Sequence, residues 1–384
     1  MKIAICTPLS LRRFSDEIPK DKWQRGGQAV PSIEEQVRYF AKHSDVEIHV
    51  VTQHEDFLND VIQTGNIYFH LLRAPKHFKL PTLYFFDARR IAGCIREIRP
   101  VIVEAHWAYE CALGAIISGY PYVVKIHDWM PHEFQISKRI SFALKWMIQE
   151  YVLRRSRYIT SPSPYLCSLA RARTSAELFT LPPIVFPEYY KLESKERGNV
   201  VFSPSGILRR KNTLTLLRVI KKLRDQLPDV FLVLAGAQKK SSDKFYRECA
   251  ENIAILEAQN AMKNLGKLDY NQLAHYYAMS SVVLHTSVEE TFCMVVAEAQ
   301  AAGKPVVVGR NGGVEFLVED GETGFIVDPL DIDAYVDKLK LLLQNAKLRK
   351  EMGRKGRERM KALLDPEKIF TETLNIYQHV ISNW

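Results

Sequence analysis

The sequence lacks a long uninterrupted hydrophobic run. No stretch approaches the roughly 18 apolar residues of a transmembrane helix, so we expect none to span a membrane. The apolar start, Met1–Thr7, is too short for a signal peptide and instead predicts a buried first strand. Six cysteines, scattered without a close pair, argue against a disulfide framework and against a zinc site. These absences predict a cytoplasmic protein with reduced thiols.

Two kinds of recognition motif are also missing. No G-x-G-x-x-G follows the first strand, which disfavours a nicotinamide enzyme. No nucleic-acid recognition motif is found, although the net charge is +9. Because this excess of positive charge is spread over both halves of the chain, it favours anionic ligands or a phospholipid surface over specific nucleic-acid binding.

The composition and length indicate a two-domain α/β protein. Apolar residues make up 47% and charged residues 25% of 384 residues, which is too long a chain for one ordinary core. Units of strand, loop, helix and strand recur and predict parallel sheets. We place the first domain at residues 1–190, the second at 191–365 and a final helix at 366–384. Ligands bind at the carboxyl ends of parallel strands, so the loops at those ends are the candidate site.

One such loop carries two glutamates, Glu290 and Glu298, and runs into a short apolar helix. Gly303 suits the left-handed position after that helix, and Pro305 cannot continue it. Three valines at 306–308 then open another strand. Two carboxylates at this place could be an acid/base pair or could bind the hydroxyl groups of a ligand.

A second loop, after the strand predicted near residues 200–203, carries three consecutive cations. Gly206 is followed by Arg209, Arg210 and Lys211, and a helix begins shortly afterwards. Three cations are often only a solvated turn. Between a strand end and a helix start, however, they lie where phosphates bind, and Arg and Lys are the usual phosphate partners. We therefore favour a phosphate site.

The first half offers weaker signals. Gly26 and Gly27 are either turn residues or a place where the backbone approaches a ligand closely. His106 and His127 each end a buried-strand pattern. A single histidine at a strand end is commonly a satisfied polar residue, whereas two at successive strand ends indicate a ligand crevice. Of the two, His127 is the better candidate for a contact in the site.

Two stretches combine basic and hydrophobic residues. Residues 73–90 interleave them around two prolines, and residues 137–157 predict a helix with a broad apolar face and basic ends. Core packing is the favoured interpretation of both. A surface that faces a membrane or an acceptor is the alternative, because aromatic and basic residues together suit an anionic bilayer interface.

Taken in order, these motifs resemble the retaining nucleotide-sugar glycosyltransferases of glycosyltransferase family 4. The resemblance covers nearly the whole chain and is strongest over residues 200–330. It implies the GT-B architecture, which has two Rossmann-like domains facing each other across a cleft. The first domain would serve the acceptor and the second the donor, and the C-terminal helix would pack back on the first domain.

The resemblance also implies roles for the candidate residues. Arg210 and Lys211 would hold the diphosphate, and Glu298 would accept hydrogen bonds from ribose hydroxyls. Glu290 would hold the donor sugar. His127 would contact the sugar or the acceptor. The backbone of several further residues would approach the donor closely: Gly26, Gly27, Gly206, Phe292, Cys293 and Met294.

The implied activity is transfer of a hexose from a nucleotide diphosphate sugar to a hydroxyl of a glycan or a lipid-linked acceptor, with retention at the anomeric carbon. The family implies no cofactor and no metal, and allows peripheral contact with the inner face of the membrane. Another GT-B enzyme, such as a disaccharide synthase, a phosphorylase or an epimerase, is an alternative. A non-catalytic sugar-nucleotide-binding partner of a transferase is a second.

Four positions depart from the family pattern. Thr291 and Cys293 stand where Glu-Gly-Phe-Gly usually has glycine, which predicts a more crowded loop. Ile207 replaces a frequent arginine of the phosphate loop, so a neighbouring arginine would take its role. Phe316 stands where a glutamate is usual.

Overall fold

The computed structural model describes residues 1–15, 17–18, 30–43, 45–74, 84–238 and 243–384. The chain divides into two compact units. Unit 1 comprises Met1–Ile184 and Leu364–Trp384, and unit 2 comprises Val185–Leu363. Gly26 and Gly27, for which close backbone approach to a ligand is predicted, lie outside the described residues.

Unit 1 is built on a largely parallel sheet. Its strands are Lys2–Cys6 (β1), Glu47–His54 (β2), Asp60–Thr64 (β3), Ile67–Arg73 (β4), Ile102–His106 (β5), Tyr122–Lys125 (β6), Tyr158–Ser161 (β7) and Glu177–Thr180 (β8). They lie in the order β3-β4-β2-β1-β5-β6-β7-β8, and β3 is antiparallel to β4. The central strand β1 pairs in parallel with β2 and β5, and four of its five residues are buried.

Helices connect these strands. They are Pro31–Phe40 (α1), Phe85–Ile98 (α2), Glu110–Ser118 (α3), Met130–Ser137 (α4), Ile140–Arg155 (α5) and Pro164–Arg171 (α6). Apolar residues of α2 and α3 pack on the sheet, with Ile91, Ile95, Ala112 and Ala115 in one buried cluster. The central strands are largely buried, as strands of a parallel sheet covered by helices usually are.

Unit 2 has a fully parallel sheet. Its strands are Val200–Ser203 (β9), Phe231–Leu234 (β10), Met262–Asn264 (β11), Val282–His285 (β12), Val306–Gly309 (β13) and Gly324–Val327 (β14). Their order is β11-β10-β9-β12-β13-β14. The order reverses beside β9, where β10 lies on one side and β12 on the other. Crevices that bind ligands form at such a switch point.

The helices of unit 2 follow its strands. They are Thr213–Arg224 (α7), Lys244–Ala258 (α8), Tyr270–Met279 (α9), Met294–Ala301 (α10), Val314–Leu317 (α11), Ile332–Gln344 (α12) and Ala346–Leu363 (α13). The short helix predicted after Glu290 is α10, and Gly303 follows it with a φ of 71°, as the sequence predicts. Apolar residues of α7 and α12 bury the sheet on one side, including Leu216, Ile220 and Leu339.

The final helix, Pro366–Ser382 (α14), belongs to unit 1. Pro366 occupies the first turn, and the Asp365 carboxylate accepts hydrogen bonds from the next backbone N–H groups. Phe370 packs edge-on against Phe40 of α1, with ring centroids 4.8 Å apart. The last helix of the chain therefore completes the unit that the first strand begins.

The segment predicted as one helix over residues 137–157 contains a break. Lys138 adopts a left-handed conformation with a φ of 54° and ends α4, and α5 begins at Ile140. Only part of the predicted apolar face packs inward. Ile148 is buried, whereas Ile140, Met147 and Tyr151 are 78%, 63% and 52% exposed. Core packing therefore explains Ile148 but not the exposed Ile140, Met147 and Tyr151.

Candidate functional site

The basic loop of unit 2 links β9 to α7. Gly206 has a φ of 70°, and a Cβ there would lie 2.5 Å from the Ala237 carbonyl oxygen, so only glycine fits. The next residue, Ile207, is buried in the hydrophobic core. It therefore takes no part in the charged cluster, and the cations that follow it define the loop.

Two of the three cations converge on Glu290. Lys211 Nζ forms an ion pair with Glu290 Oε1, and Arg210 Nη1 lies 3.0 Å from Glu290 Oε2. Arg209 turns elsewhere: it pairs with Asp243 and lies over the Phe245 ring at 5.0 Å. Of the two arginines that follow Ile207, Arg210 is therefore the one that lies beside Glu290.

His285, at the end of β12, lies behind the carboxylate. Its Nε2 is 3.0 Å from Glu290 Oε1, and its Nδ1 is 2.7 Å from the Ser205 hydroxyl. Burial would raise the pKa of the Glu290 carboxyl, but the charges of Arg210 and Lys211 and the hydrogen bond from His285 hold it well below its usual range. Glu290 is therefore an ionised carboxylate with contacts to Lys211, Arg210 and His285.

Hydroxyl groups after β12 fix the backbone of the basic loop. The Thr286 hydroxyl donates to the Lys211 carbonyl at 3.0 Å, and the Ser287 hydroxyl donates to the Arg210 carbonyl at 2.9 Å. The Val288 N–H donates to the same Arg210 carbonyl at 3.0 Å. These bonds set the positions of both cations before any ligand arrives.

The glycine pair Gly312-Gly313 supports the Glu290 loop from the other side. Glu290 and Gly312 form a parallel bridge, and the Gly313 N–H donates to the Glu290 carbonyl at 2.9 Å. A Cβ at Gly313 would lie 2.5 Å from that carbonyl oxygen and 2.6 Å from the Phe292 nitrogen. The absence of a side chain at Gly313 thus lets two loops touch at their backbones.

The start of α10 carries the other residues predicted for the donor. Phe292 and Cys293 are each only 4% exposed, so both residues are almost wholly buried in this structure. Cys293 precedes α10 with a φ of 81°, a conformation that favours glycine. Met294 opens the helix, whose first N–H groups have no partner within it. The residue that replaces the usual glycine thus keeps the glycine conformation.

Glu298 lies one turn further along α10 and is buried. The Tyr277 hydroxyl donates to Glu298 Oε2 at 3.0 Å. Burial raises the pKa of the Glu298 carboxyl to about 7, although the bond from Tyr277 lowers it. Unlike Glu290, Glu298 has no ion pair among the described residues. Its charge state therefore changes close to neutral pH.

Phe316, where the family usually has a glutamate, lies near the Phe292 ring at a centroid distance of 6.4 Å. The adjacent Glu315 carboxylate is 3.4 Å from Arg310, and both side chains are about half exposed. Phe316 therefore adds an aromatic contact beside the Glu290 loop instead of a carboxylate.

Three side chains of this region lie close enough to hold a metal ion together. Their ligand atoms, on His285, Glu290 and Cys293, all lie within 4.8 Å of one another. Lys211 and Arg210 already engage the carboxylate, and burial together with the Glu290 charge raises the pKa of the Cys293 thiol. Two cations at the carboxylate and a protonated thiol make the set a poor fit for a divalent cation.

In unit 1, His127 follows β6, as the sequence predicts. Its Nε2 lies 2.9 Å from His106 Nδ1, and its ring packs against Trp107 at a centroid distance of 4.5 Å. Trp107 has a φ of 63°, which is rare for a bulky residue and marks a constrained site. Burial lowers the pKa of His127 well below its ordinary value, so its ring is neutral.

A cavity of about 360 Å³ opens at this edge of the unit 1 sheet. Aromatic, acidic and basic side chains share its lining, among them Tyr84, Trp107, Asp128 and Lys145. Tyr109 donates to Asp128 Oδ1 at 3.0 Å. Aromatic faces beside carboxylates suit a hydroxylated ligand, because the faces pack on carbon and the carboxylates accept hydrogen bonds.

Sequence reasoning missed Glu104, Ser205 and His285 as members of these clusters. Glu104 and His285 lie in largely apolar, buried strands, so the sequence pattern identifies them only as strand residues. A signal was available for both: a polar residue two positions before, or at, the carboxyl end of a buried strand projects toward the ligand edge. His285 ends β12 in the same way as His106 ends β5.

The sequence matches two known family profiles. Residues 188–359 match Glycosyl transferases group 1, and residues 33–163 match Glycosyl transferase 4-like. N-acetyl-alpha-D-glucosaminyl L-malate synthase of Bacillus anthracis is 32% identical over 353 residues, which are 87% of this chain and 90% of that protein. The chain belongs to the family 4-like glycosyltransferases.

Other relatives are matched over less of their length. The chain spans 37% of the trehalose synthase of Pyrococcus horikoshii, at 30% identity over 39% of this chain. It spans 65% of the sulfoquinovosyl transferase SQD2 of Arabidopsis thaliana, at 26% identity over 84% of this chain. The first relatives are thus covered over less than two thirds of their length.

Solved structures share the fold at low sequence identity. Sucrose-phosphate synthase of Thermosynechococcus elongatus has a TM-score of 0.79 at 18% identity, with 100% of both chains covered. The HepE protein of Anabaena, in complex with UDP-glucose, has a TM-score of 0.73 at 17% identity, again with 100% of both covered. The fold is GT-B, with two Rossmann-like parallel sheets.

Proposed function

We propose that the protein transfers a hexose from a nucleoside diphosphate sugar to a hydroxyl group of a glycan or a lipid-linked acceptor. The observation that carries this proposal is the convergence of Lys211 and Arg210 on Glu290 beside the switch point of the unit 2 sheet. Membership of the glycosyltransferase family and the UDP-glucose complex of HepE support it.

The donor site of this proposal lies on unit 2. Arg210 and Lys211 bind the diphosphate, and Gly206 lets the start of their loop pack against the Ala237 backbone. The positive end of α10 faces the same charge from the N–H groups at Cys293 and Met294. These groups offset the negative charge that grows on the departing diphosphate, which is the role a metal ion would otherwise fill. We accordingly propose that neither a metal nor a cofactor is required.

The sugar and the ribose use the two glutamates. Glu290 accepts hydrogen bonds from sugar hydroxyls, together with the backbone at Phe292. Glu298 accepts from the ribose hydroxyls when it is ionised. An ionised carboxylate can only accept hydrogen bonds, and hydroxyl groups are its natural donors.

We further propose that transfer retains the anomeric configuration. Glu290 is engaged by Lys211, Arg210 and His285, so it is a weak nucleophile. The acceptor oxygen therefore attacks the anomeric carbon from the face that the diphosphate leaves. The bond from the anomeric carbon to phosphate oxygen breaks, the bond to the acceptor oxygen forms, and the hydroxyl proton passes to the departing phosphate.

Peripheral membrane contact is part of the proposal, since one face of α5 fits a bilayer. None of the helices in the described part of the chain has both the length and the hydrophobicity to cross a membrane. The exposed Ile140, Met147 and Tyr151 share one face of α5, and Arg154 and Arg155 stand exposed at its end. Apolar and cationic side chains on one face suit an anionic lipid surface at the inner side of a membrane.

Sedimentation with lipid vesicles tests this contact. We expect binding to vesicles that contain phosphatidylglycerol, weaker binding to pure phosphatidylcholine, and loss of binding in Met147→Gln combined with Tyr151→Ser. Leu330→Gln, at a 72% exposed residue of unit 2, is the matched control and should bind like the unchanged protein. Equal sedimentation of the double variant and the control would overturn the contact.

The activity itself is tested in two stages. Thermal shift against UDP, GDP and ADP sugars selects the donor, because a ligand at a hundred times its Kd stabilises by about 2.7 kcal/mol. Product analysis then follows incubation with and without a panel of sugar and lipid acceptors. A glycoside product whose anomeric configuration matches the donor supports the proposal. Binding without turnover across the panel would instead favour a non-catalytic partner, and product without acceptor would favour another GT-B reaction.

A further inference from the structure

His285 lies between the Glu290 carboxylate and the Ser205 hydroxyl, at the end of β12. Its Nε2 is 3.0 Å from Glu290 Oε1, and its Nδ1 is 2.7 Å from the Ser205 hydroxyl oxygen. Ser205 is 8% exposed and Glu290 is 6% exposed, whereas His285 is fully buried. Because burial limits the access of water, a hydrogen bond that is lost here has no ready replacement.

The protonation states of these groups set the direction of both hydrogen bonds. The ionised Glu290 carboxylate only accepts hydrogen bonds, so His285 Nε2 must carry a proton. Burial lowers the pKa of His285, and this outweighs the opposite effect of the hydrogen bond to Glu290, so the ring is neutral. In a neutral ring the other nitrogen, Nδ1, is an acceptor, and the Ser205 hydroxyl must donate to it. The hydrogen bonds therefore run in one direction, from Ser205 through His285 to Glu290.

The three side chains that contact the Glu290 carboxylate differ in their freedom to move. Lys211 and His285 contact Oε1, whereas Arg210 contacts Oε2. Lysine and arginine have long side chains with many rotamers. The His285 ring is fully buried, and its backbone pairs with Val308 of β13. Of these three contacts, His285 is therefore the one whose position is fixed by the sheet.

We propose that His285, held by the Ser205 hydroxyl, is a positioning residue that orients the Glu290 carboxylate and, through it, the Lys211 and Arg210 side chains that bind the diphosphate. The inference rests on the proposed function for its ligand, the diphosphate. Without the N–H of His285, Oε1 would keep only Lys211 among the described residues, and the carboxylate could rotate. Both cations would then sample several positions, and a diphosphate would have to order them when it binds.

Nitrogen NMR of the full-length protein, labelled with ¹⁵N-histidine, measures the direction of the two hydrogen bonds without reference to activity. The signal that is missing from the spectrum of His285→Gln identifies His285 among the 11 histidines. We expect a protonated Nε2 and an unprotonated Nδ1 near neutral pH, and a shift of the Nδ1 signal in Ser205→Ala. A protonated Nδ1, or a His285 signal that Ser205→Ala leaves unchanged, would overturn the proposal.

Two variants of His285 separate its N–H group from its packing. The amide nitrogen of Gln can take the place of Nε2, so His285→Gln keeps a donor to Glu290. The amide of Asn reaches only the place of Nδ1, so His285→Asn loses that donor. Calorimetric titration with pyrophosphate measures the affinity for a diphosphate without a base or a sugar. We expect Kd to rise at least about tenfold in His285→Asn, as for a lost hydrogen bond to a charged group, and to stay within about threefold of the unchanged protein in His285→Gln.

Ser205→Ala tests the same contact by a smaller change. It removes the hydroxyl that holds His285 and leaves the N–H that faces Glu290. We expect Kd for pyrophosphate to rise about threefold, because a hydrogen bond between neutral groups contributes less than one to a charged group. An unchanged Kd in Ser205→Ala, or an equal loss of affinity in His285→Gln and His285→Asn, would overturn the proposal.

A second buried carboxylate, Glu104 of unit 1, supplies one control. Its Oε1 lies 2.6 Å from His106 Nε2 and accepts from Gln36 Nε2 at 2.7 Å, and its Oε2 accepts from the Tyr377 hydroxyl at 2.7 Å. These donors come from β5, α1 and α14, and Glu104 is 1% exposed. Tyr377→Phe removes a donor to a buried carboxylate away from the basic loop, so it should leave the affinity for pyrophosphate unchanged.

Ser281→Ala is the matched control for Ser205→Ala. Ser281 precedes β12 at its other end, and its buried hydroxyl donates to the Gly198 carbonyl at 2.8 Å. We expect this variant to bind pyrophosphate like the unchanged protein. A loss of affinity in Ser281→Ala equal to that in Ser205→Ala would contradict the assignment of the effect to His285.

Assays of sugar transfer keep this inference apart from the proposed function. The expected affinities for pyrophosphate without any transfer would fault the proposed function alone. Active transfer together with equal pyrophosphate affinity in the unchanged protein and in both His285 variants would fault the inference alone. No binding of pyrophosphate by the unchanged protein would overturn the diphosphate site and the inference with it.

Discussion

Lys211 and Glu290 form an ion pair across 79 positions of the chain, and Glu290 also contacts Arg210 and His285. The carboxylate therefore neutralises the same cations that we assign to the diphosphate. When the diphosphate binds, it joins a preformed cluster in which Glu290 limits the net positive charge. A site of this kind holds the cations in place at little cost in strain or repulsion.

Substitution of Glu290 should damage transfer more than folding. Glu290→Gln keeps the shape but removes the negative charge, so the two cations lose their fixed positions and a sugar hydroxyl loses a strong acceptor. We expect kcat/KM to fall at least about tenfold, the scale of losing one preorganised polar contact. Steady-state kinetics with the selected donor measure this.

Arg209→Met is the matched control for Glu290→Gln. Arg209 belongs to the same loop but pairs with Asp243, away from Glu290. We expect its kcat/KM to stay within about twofold of the unchanged protein, since a surface ion pair contributes little. An equal loss in both variants would contradict the site.

Nucleotide affinity should depend on pH through Glu298. Its pKa is raised to about 7, so the carboxylate that accepts ribose hydroxyls is formed as pH rises through neutrality. Affinity for the nucleoside diphosphate should therefore increase between about pH 6 and about pH 8. Ionisation of the phosphate also raises the affinity over this pH range, and this part of the increase should remain in Glu298→Gln. The part that is due to ionisation of Glu298 should be absent from the variant. Calorimetric titration of both proteins at several pH values measures the difference.

The raised pKa of the Glu298 carboxyl also predicts how the stability of the protein changes with pH. The folded protein binds the Glu298 proton more tightly than the unfolded chain does, because the pKa is raised from 4.5 to about 7. The stability that comes from this tighter proton binding is fully present below the pKa of Glu298 in the unfolded chain. It is lost as pH rises through the pKa of Glu298 in the folded protein. The Tm of Glu298→Gln relative to the unchanged protein should therefore rise across that window. A difference in Tm that is constant with pH would show that Glu298 is already ionised.

Gly313→Ala should distort the Glu290 loop. The added Cβ would meet the Glu290 carbonyl and the Phe292 nitrogen at distances that no real Cβ adopts, so the backbone must move. We expect weaker donor binding and slower transfer. Gly93→Ala in α2, where a Cβ meets nothing within 4 Å, is the control, and it should gain up to about 1 kcal/mol of stability at unchanged activity.

Tyr377→Phe should destabilise unit 1. The buried Glu104 carboxylate would lose one of its three hydrogen bonds, at a cost of about 1.5 to 3 kcal/mol. Tyr39→Phe is the control. It removes the hydrogen bond from the Tyr39 hydroxyl to Glu367 of α14, but this bond is exposed, so water can replace the lost hydroxyl. Urea unfolding should show the larger loss of stability for Tyr377→Phe. Equal losses would mean that burial of the Glu104 carboxylate adds nothing.

Local patterns predicted much of the fold. Hydrophobic runs and helix stop signals placed β1, α10 and α14 close to their observed bounds, because strands and helices of this kind follow from neighbouring residues. They failed at Lys138, since nothing in the local sequence requires a left-handed residue there. They also could not tell that Met147 and Tyr151 face outward, because exposure depends on which surface the rest of the chain covers.

The sequence predicted the cluster around Glu290 but not the one around Glu104, because only the first follows from the topology of the sheet. Glu290 and Lys211 each follow a strand end, so the topology of a parallel sheet brings them to one edge. Glu104 lies within a strand, and its partners Gln36 and Tyr377 come from helices far away in the sequence. Such a contact depends on tertiary packing and has no local signature beyond the pairing of Glu104 and His106 on one face of β5.

The position of α14 has a consequence for how the protein is made. Most of unit 1 precedes unit 2 in the chain, but unit 1 needs Tyr377, from a helix that is synthesised after unit 2, to complete the hydrogen bonds of Glu104. Unit 2, whose residues all come before α14, can acquire its complete set of contacts earlier. Domains usually fold from the N-terminus as they emerge, but here the first unit to appear is the last to be finished. Until α14 has been synthesised, the Glu104 carboxylate lacks the hydrogen bond from Tyr377.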